Sequence, residues 1–151
     1  MSSGFFARLF GRKRLPEELR YEDARRVLES HQFEMKRELA SREDAPQEAL
    51  YYLACDDDPR VRGLVAANRS APVQADELLH GDNDGEVRGE LARKLSRLMP
   101  DMPPHERSAV QERVAGLLEK LAADELPRVR AIIAEEVAGC PTISATLARR
   151  L

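Results

Sequence analysis

Residues 56–68 read Asp-Asp-Asp-Pro-Arg-Val-Arg-Gly-Leu-Val-Ala-Ala-Asn. The middle of this stretch has the features of a helix start. The Asp58 carboxylate can accept a hydrogen bond from a first-turn amide, and Pro59 suits the first helical position because it has no amide to leave unpaired. The residues that follow at helical spacing form one stripe, made of Val61, Leu64, Val65 and Asn68. The stretch therefore predicts a short helix that buries one side.

The same pattern recurs with a period of 26 residues. Met35-Lys36, Val61-Arg62 and Val87-Arg88 align at this spacing, and Val129-Arg130 follows 42 positions after Val87. Each copy predicts two helices. The first has a proline in its first turn, and the second follows an Asp-containing turn. Asp84 is the second predicted cap of this kind. Neither helix can bury its stripe alone, so the copies should stack. The predicted fold is an all-α, right-handed alpha solenoid of about four helical hairpins.

One segment departs from the period. Three prolines lie between residues 100 and 104, and a longer helix is predicted over residues 105–123. Its buried face should consist of five apolar residues, namely Val110, Val114, Leu117, Leu118 and Leu121.

Composition and charge limit the classes of function that the chain can have. The chain is 42% hydrophobic and 34% charged, with 24 Lys and Arg against 27 Asp and Glu. A net charge of −3 and the absence of Trp make nucleic-acid binding an alternative that the composition disfavours. No apolar run approaches the roughly 18 residues of a membrane span.

The two cysteines make neither a disulfide framework nor a metal site, which predicts a reducing cytoplasm. Both are expected to be small buried residues.

Three copies also carry an Asp six positions before an Arg, as in Asp56 and Arg62, Asp82 and Arg88, and Asp124 and Arg130. This spacing resembles the HEAT repeat, in which such residues form a ladder of side chains between stacked repeats. Residues 56–68, followed by Ala71-Pro72, are similar to the leucine-rich repeat variant. The segments 21–25, 50–54 and 126–130 resemble an alphaproteobacterial domain-of-unknown-function family, and the likeness covers residues 21–151. Fold-level analogy then predicts a non-enzymatic protein-binding scaffold or adaptor of the bacterial cytoplasm, in signal transduction.

The repeated arginines allow two interpretations. They could bind phosphates along the array, or they could satisfy the Asp side chains of their own and adjacent repeats, which is the structural interpretation favoured by the fixed Asp spacing. No Gly-rich phosphate loop, nucleophile motif or metal-ligand spacing occurs, so the sequence predicts no enzyme and no cofactor.

The two ends of the chain suggest contact surfaces. Residues 1–20 form a basic, aromatic segment that could touch an anionic membrane surface, such as the inner membrane, or a partner, or simply cap the solenoid; its candidate residues are Phe5, Phe6, Leu9, Phe10, Arg12, Lys13 and Arg14. At the other end, Ile143, Leu147 and Leu151 recur at helical spacing. They predict a contact face for a homodimer or for a partner helix, with a truncated member of a longer family as the alternative.

Overall fold

A computed structural model describes residues 14–99 and 109–140. Within these ranges the chain is all-α, with eight helices and no strand: α1 Tyr21–Glu29, α2 Phe33–Ser41, α3 Gln47–Leu53, α4 Pro59–Ala67, α5 Val73–Leu79, α6 Gly85–Leu98, α7 Ala109–Ala122 and α8 Pro127–Ala138. Several predicted contact residues lie outside the described ranges: Phe5, Phe6, Leu9, Phe10, Arg12, Lys13, Ile143, Leu147 and Leu151.

The helices form two rows. The even-numbered helices α2, α4, α6 and α8 contact one another in chain order, and these are the most extensive helix contacts. The odd-numbered helices make the second row, and each packs against its neighbours in the even row. The core lies between the rows and consists mainly of aliphatic side chains, among them Leu39, Leu50, Val61, Leu79, Leu91, Leu118 and Val129. The helices of the two rows thus bury their apolar side chains against one another.

The helix starts of the even row are those that the sequence predicts. Asp58 precedes Pro59 and accepts a hydrogen bond from the Arg60 amide at 2.8 Å. Asp84 does the same for the Glu86 amide at 2.8 Å. The predicted caps of α4 and α6 are confirmed.

The prolines of the odd row lie one position earlier than predicted. Pro46 and Pro72 precede α3 and α5 as cap residues, and they are not part of the first turn. Their carbonyls still accept helical hydrogen bonds from Leu50 and Asp76. A proline can take this place because the residue before a helix has no amide bond to make within it.

Even-row helices approach each other closely at two glycines. A Cβ at Gly85 would overlap the Leu126 side chain, and a Cβ at Gly89 would come within 3.1 Å of Cδ1 of Ile132. Both glycines therefore allow α6 to lie against α8 and the turn before it, which holds neighbouring hairpins in close register.

Three side chains differ from their predicted burial. Val110 is 45% exposed because it lies in the first turn of α7, ahead of the buried stripe that begins at Val114. Cys55 is exposed, since α3 ends at Leu53 and Cys55 belongs to the turn beyond it. Cys140 is half-buried and packs against the edge of the core. Of the helices described, none is both long and apolar enough to cross a membrane.

Candidate functional site

Charged side chains connect successive helices of the even row. Arg62 donates two hydrogen bonds to the Asp82 carboxylate, at 2.7 and 2.9 Å. Arg88 donates two to the Asp124 carboxylate, at 2.7 and 3.0 Å. Both pairs join a side chain of one copy of the repeat to a side chain of the next, in the bidentate geometry that guanidinium and carboxylate groups favour.

The first copy has a simpler form of this contact. Lys36 occupies the position of Arg62 and Arg88, and its ammonium donates one hydrogen bond to Asp56 at 2.7 Å. An ammonium group cannot make the two parallel bonds of a guanidinium. We call the contacts of Lys36, Arg62 and Arg88 the rungs.

Each arginine of the series is also anchored within its own copy. Nη1 of Arg62 donates to the carbonyl of Asp56 at 2.8 Å, and Nη1 of Arg88 donates to the carbonyl of Asp82 at 2.6 Å. Arg130 makes the equivalent bond to the carbonyl of Asp124 at 2.6 Å. The Asp and the Arg of one copy therefore meet through the backbone of the Asp, while the carboxylate is used by the Arg of the preceding copy.

The rung between α6 and the turn before α8 is buried. The side chains of Arg88 and Asp124 are 8% and 7% exposed. The hydrogen bonds from Arg88 hold the pKa of Asp124 below its usual value. Burial is the largest single influence on Asp82 and opposes its ionisation, but the hydrogen bonds from Arg62 and the Asp84 amide, together with the charges of Arg62 and Arg88, outweigh it, so the pKa of Asp82 is also lowered. These arginines are occupied by carboxylates and are not presented to phosphates.

Arg130 is the third arginine of the series, and its rung is open among the described residues. Its side chain is exposed, and Nη1 is held by the carbonyls of Asp124 and Glu125. Across residues 14–99 and 109–140 no carboxylate lies within ion-pair distance of it. Among the described residues, the guanidinium is thus anchored as in Arg62 and Arg88, without the carboxylate that those two receive.

A second series of hydrogen bonds also follows the period of 26 residues. Arg42 donates to the carbonyl of Pro16 at 2.6 Å, and Asn68 donates to the carbonyl of Arg42 at 2.9 Å. Lys94 donates to the carbonyl of Asn68 at 3.3 Å. Each side chain therefore reaches the backbone of the equivalent residue in the preceding copy. Sequence reasoning missed this series; the only signal for it was that three hydrogen-bond donors share one phase of the repeat.

Lys94 belongs also to a buried ion pair. Its ammonium lies 2.5 Å from Oδ1 of Asp76 on α5, and the two side chains are 2% and 5% exposed. Burial raises the pKa of Asp76 to about 6, although the Lys94 charge opposes the rise. Burial also lowers the pKa of Lys94. This pair joins the odd row to the even row, and the sequence analysis did not identify it.

Of the remaining predicted contact residues, the structure describes Arg14. It is exposed. Nowhere in the described part of the chain do three His, Cys, Asp or Glu side chains come together as a metal site.

Comparisons of the chain with protein-family models, with curated proteins and with solved structures found no match. The resemblance to HEAT-like repeats therefore remains a prediction that depends on the sequence pattern.

Proposed function

We propose that this chain is a non-enzymatic protein-binding scaffold, built as a right-handed solenoid of HEAT-like hairpins and acting in the bacterial cytoplasm. The two helix rows, the period of 26 residues and the two series of hydrogen bonds support the repeat architecture. Fold alone does not assign a function, so the proposal depends on a specific surface. That surface is the exposed side of α8 together with Arg130.

The open rung carries the proposal. In Arg62 and Arg88, the equivalent guanidinium binds an Asp carboxylate at the start of the next even-row helix. Arg130 has the same backbone anchor and is exposed. A guanidinium held in one orientation loses less entropy when a carboxylate binds, so a partner carrying an Asp at a helix start would match it.

The side of α8 next to Arg130 is also suited to a helix. Gly89 and Ala92 are buried in α6, in the even row. The equivalent positions in α8, Ala131 and Ala134, are exposed. Small residues let two helices approach closely, so this side can accept a further helix in the way α6 accepts α8. A protein partner and a second copy of the chain are both compatible with this surface.

Nucleic-acid binding is less well supported. Exposed arginines of the even row have acidic neighbours: Arg60 pairs with Asp58, Arg93 with Glu90, Arg97 with Glu136 and Arg128 with Glu86. A surface on which positive and negative charges alternate releases few counterions when it binds a polyanion. Membrane association through residues 1–14 remains an alternative proposal.

The proposal can be tested by photo-crosslinking in the bacterium that produces the protein. A photoreactive amino acid at Ala134 should give discrete adducts with one partner, and Arg130→Glu should abolish them because it places a carboxylate where a carboxylate binds. The same amino acid at Tyr52, exposed on α3, serves as the position control. Arg25→Glu, on the exposed surface of α1, is the charge control.

Mass spectrometry of the adducts distinguishes the two kinds of partner. Adducts between two copies would identify a homodimer, and light scattering over a concentration series should then show a dimer. Equal adducts from Ala134 and Tyr52, or adducts that persist in Arg130→Glu, would contradict the proposed surface.

A further inference from the structure

We propose that the partner bound at the α8 surface is a different protein and not a second copy of this chain. The inference rests on the proposed function, and it selects between the two kinds of partner that the α8 surface allows. It depends on two features beside α2: a serine that takes the place of a rung Asp, and a segment that occupies the position of a preceding copy.

Ser30 takes the place of the rung Asp in the turn before α2. Asp56, Asp82 and Asp124 each accept a hydrogen bond from the backbone amide two residues later, at 3.0, 2.9 and 2.9 Å. The Ser30 hydroxyl accepts the equivalent bond from the Gln32 amide at 3.4 Å. The turn is thus closed in the same way, but by a neutral group that cannot accept the two parallel bonds of a guanidinium.

The carboxylates in the rung position already bind cations of their own chain. The three pairs are Asp56 with Lys36, Asp82 with Arg62, and Asp124 with Arg88. If Arg130 took one of these carboxylates from a second molecule, a cation of that molecule would lose its partner, and the exchange would gain no ion pair. Among the described residues, a second copy therefore has no rung carboxylate to offer to Arg130.

Residues 14–20 lie beside α2 in the register of a preceding copy. Arg42 donates to the carbonyl of Pro16 at 2.6 Å and to the next carbonyl along the chain at 2.6 Å. Pro16 precedes Arg42 by 26 residues, which is the same spacing at which Asn68 reaches the carbonyl of Arg42. The segment thus receives the bonds that each later copy makes to the copy before it.

This segment is also packed against the helices. Leu15 and Leu19 are half-buried and lie against the core, and the Leu15 amide donates to the Glu38 carboxylate of α2 at 3.0 Å. Residues 14–20 contain no helix. They therefore occupy the side of α2 without providing a helix on which another helix can stack. The α8 surface of a second molecule would have to displace them before it could lie beside α2 as α8 lies beside α6.

Head-to-tail stacking of identical copies would produce open chains of molecules, and these two features oppose it. A symmetric pair of α8 surfaces does not supply a rung Asp either, because both sides of such an interface are the same patch. The complementary partner is therefore another protein. It brings an Asp in the turn before an exposed helix, and that helix packs on Ala131 and Ala134.

The test converts the α2 end into the missing partner. In the purified full chain, Ser30→Asp supplies the carboxylate and Arg42→Ala releases residues 14–20. Sedimentation velocity over a concentration series measures association of the unchanged chain, of each single variant and of the double variant. Ser41→Asp combined with Arg42→Ala is the matched control, because it adds the same charge at the other end of α2, where Ser41 is exposed. Circular dichroism checks that each variant is folded.

We expect the unchanged chain and the single variants to sediment as monomers. The double variant should associate at least about tenfold more tightly, as a new charge-assisted pair implies, and addition of Arg130→Glu should abolish the gain. The control pair should stay monomeric. Association of the unchanged chain that depends on Arg130, no gain in the folded double variant, or an equal gain in the control would overturn the inference.

The crosslinking experiment gives a second measurement that needs no variant of α2. Adducts between Ala134 and α2 of a second copy would overturn the inference while supporting the α8 surface. Sedimentation uses the purified chain alone, so its outcome does not depend on a partner in the bacterium. Absence of any Ala134 adduct in the bacterium would instead contradict the proposed function.

Discussion

At the scale of single residues, arginine and lysine have different roles at the same repeat position. Arg62 and Arg88 each donate to an anchor carbonyl and to both carboxylate oxygens of an Asp in the next copy. Lys36 makes one such bond. The fork of the guanidinium allows one side chain to span two copies, which a single ammonium does less well.

Replacement of Arg88 by Ala should be strongly destabilising. The change leaves the Asp124 carboxylate buried without its cation, and loss of one partner of a buried pair costs about 3–5 kcal/mol. Urea unfolding followed by circular dichroism would measure the loss. Arg25→Ala removes an exposed, solvent-screened pair with Glu29 and should leave the free energy of unfolding nearly unchanged. Similar losses in the two variants would show that the rung is not structural.

The buried pair of Asp76 and Lys94 should respond differently to single and double changes. Lys94→Met leaves a buried carboxylate and should cost about 3–5 kcal/mol in the free energy of unfolding. The double variant Asp76→Leu with Lys94→Met removes both charges and should be more stable than the single variant, because well-packed apolar residues replace a buried pair at little cost. A double variant less stable than Lys94→Met would show that the charges themselves are required.

The same pair predicts a dependence on pH. The pKa of Asp76 in the folded chain is about 6, above the ordinary value of 3.8, so between these values the folded chain binds more protons than the unfolded chain. The free energy of unfolding that Asp76 contributes should therefore decrease as the pH rises from about 4 to about 6, and stay constant above that range. Subtraction of the same curve for the double variant isolates this contribution. A difference that is flat or rises over this range would contradict it.

At the scale of helices, close approach between neighbours outweighs helix propensity. Gly85 begins α6 and leaves no room for a Cβ beside Leu126, whereas a Cβ at Gly116 in α7 would meet no atom within 4 Å. We expect Gly85→Ala to destabilise the chain by about 1 kcal/mol, the low end of the effect of overpacking, because the atom that must move is the end of the Leu126 side chain. Gly116→Ala should stabilise it by about 0.5–1 kcal/mol, because alanine loses less backbone entropy in a helix. Thermal unfolding of both variants tests the pair, and two shifts of the same sign would contradict the packing argument.

Much of this helical organisation could be predicted, for a physical reason. Asp58 and Asp84 are recognisable because capping is local and needs only the residue and the amides that follow it. The period of 26 residues is visible because the buried positions Val61 and Val87 must repeat whenever the hairpins do. Predictions were less accurate at the edges of helices, as Val110 and Cys55 show, since exposure there depends on where a helix ends.

The polar contacts were harder to predict, because the type of a polar residue does not show which group it will bond. Arg42, Asn68 and Lys94 share a function as donors to backbone carbonyls and no other property, so self-comparison of residue types does not align them. Asp76 and Lys94 occur once, and a pair that does not repeat gives no periodic signal. The open rung at Arg130 appears only when its anchor and its surroundings are seen together.

At the scale of the whole molecule, the links are between neighbouring hairpins. Each rung and each bond of the second series joins one copy to the next, and the buried core is likewise shared between adjacent copies. In the proposed solenoid, stability is a sum over repeats and their interfaces. Within the described residues, Lys36 and Arg130 make fewer bonds to a neighbouring carboxylate than Arg62 and Arg88 do.

The unequal number of bonds in the rungs should decide which helices unfold locally first. In the part of the chain that the structure describes, the rung from Lys36 has a single bond and the one from Arg130 has no carboxylate, while Arg62 and Arg88 each make two bonds to a carboxylate. Backbone amides in α4 and α6 should therefore exchange with deuterium most slowly, and those of α1 and α8 should exchange through local fraying well before global unfolding. Lys36→Arg should slow exchange in α2 and leave α8 unchanged. A scaffold of this kind would loosen first at the α8 surface where a partner is proposed to bind, and partner binding would then be measurable as protection of α8 alone.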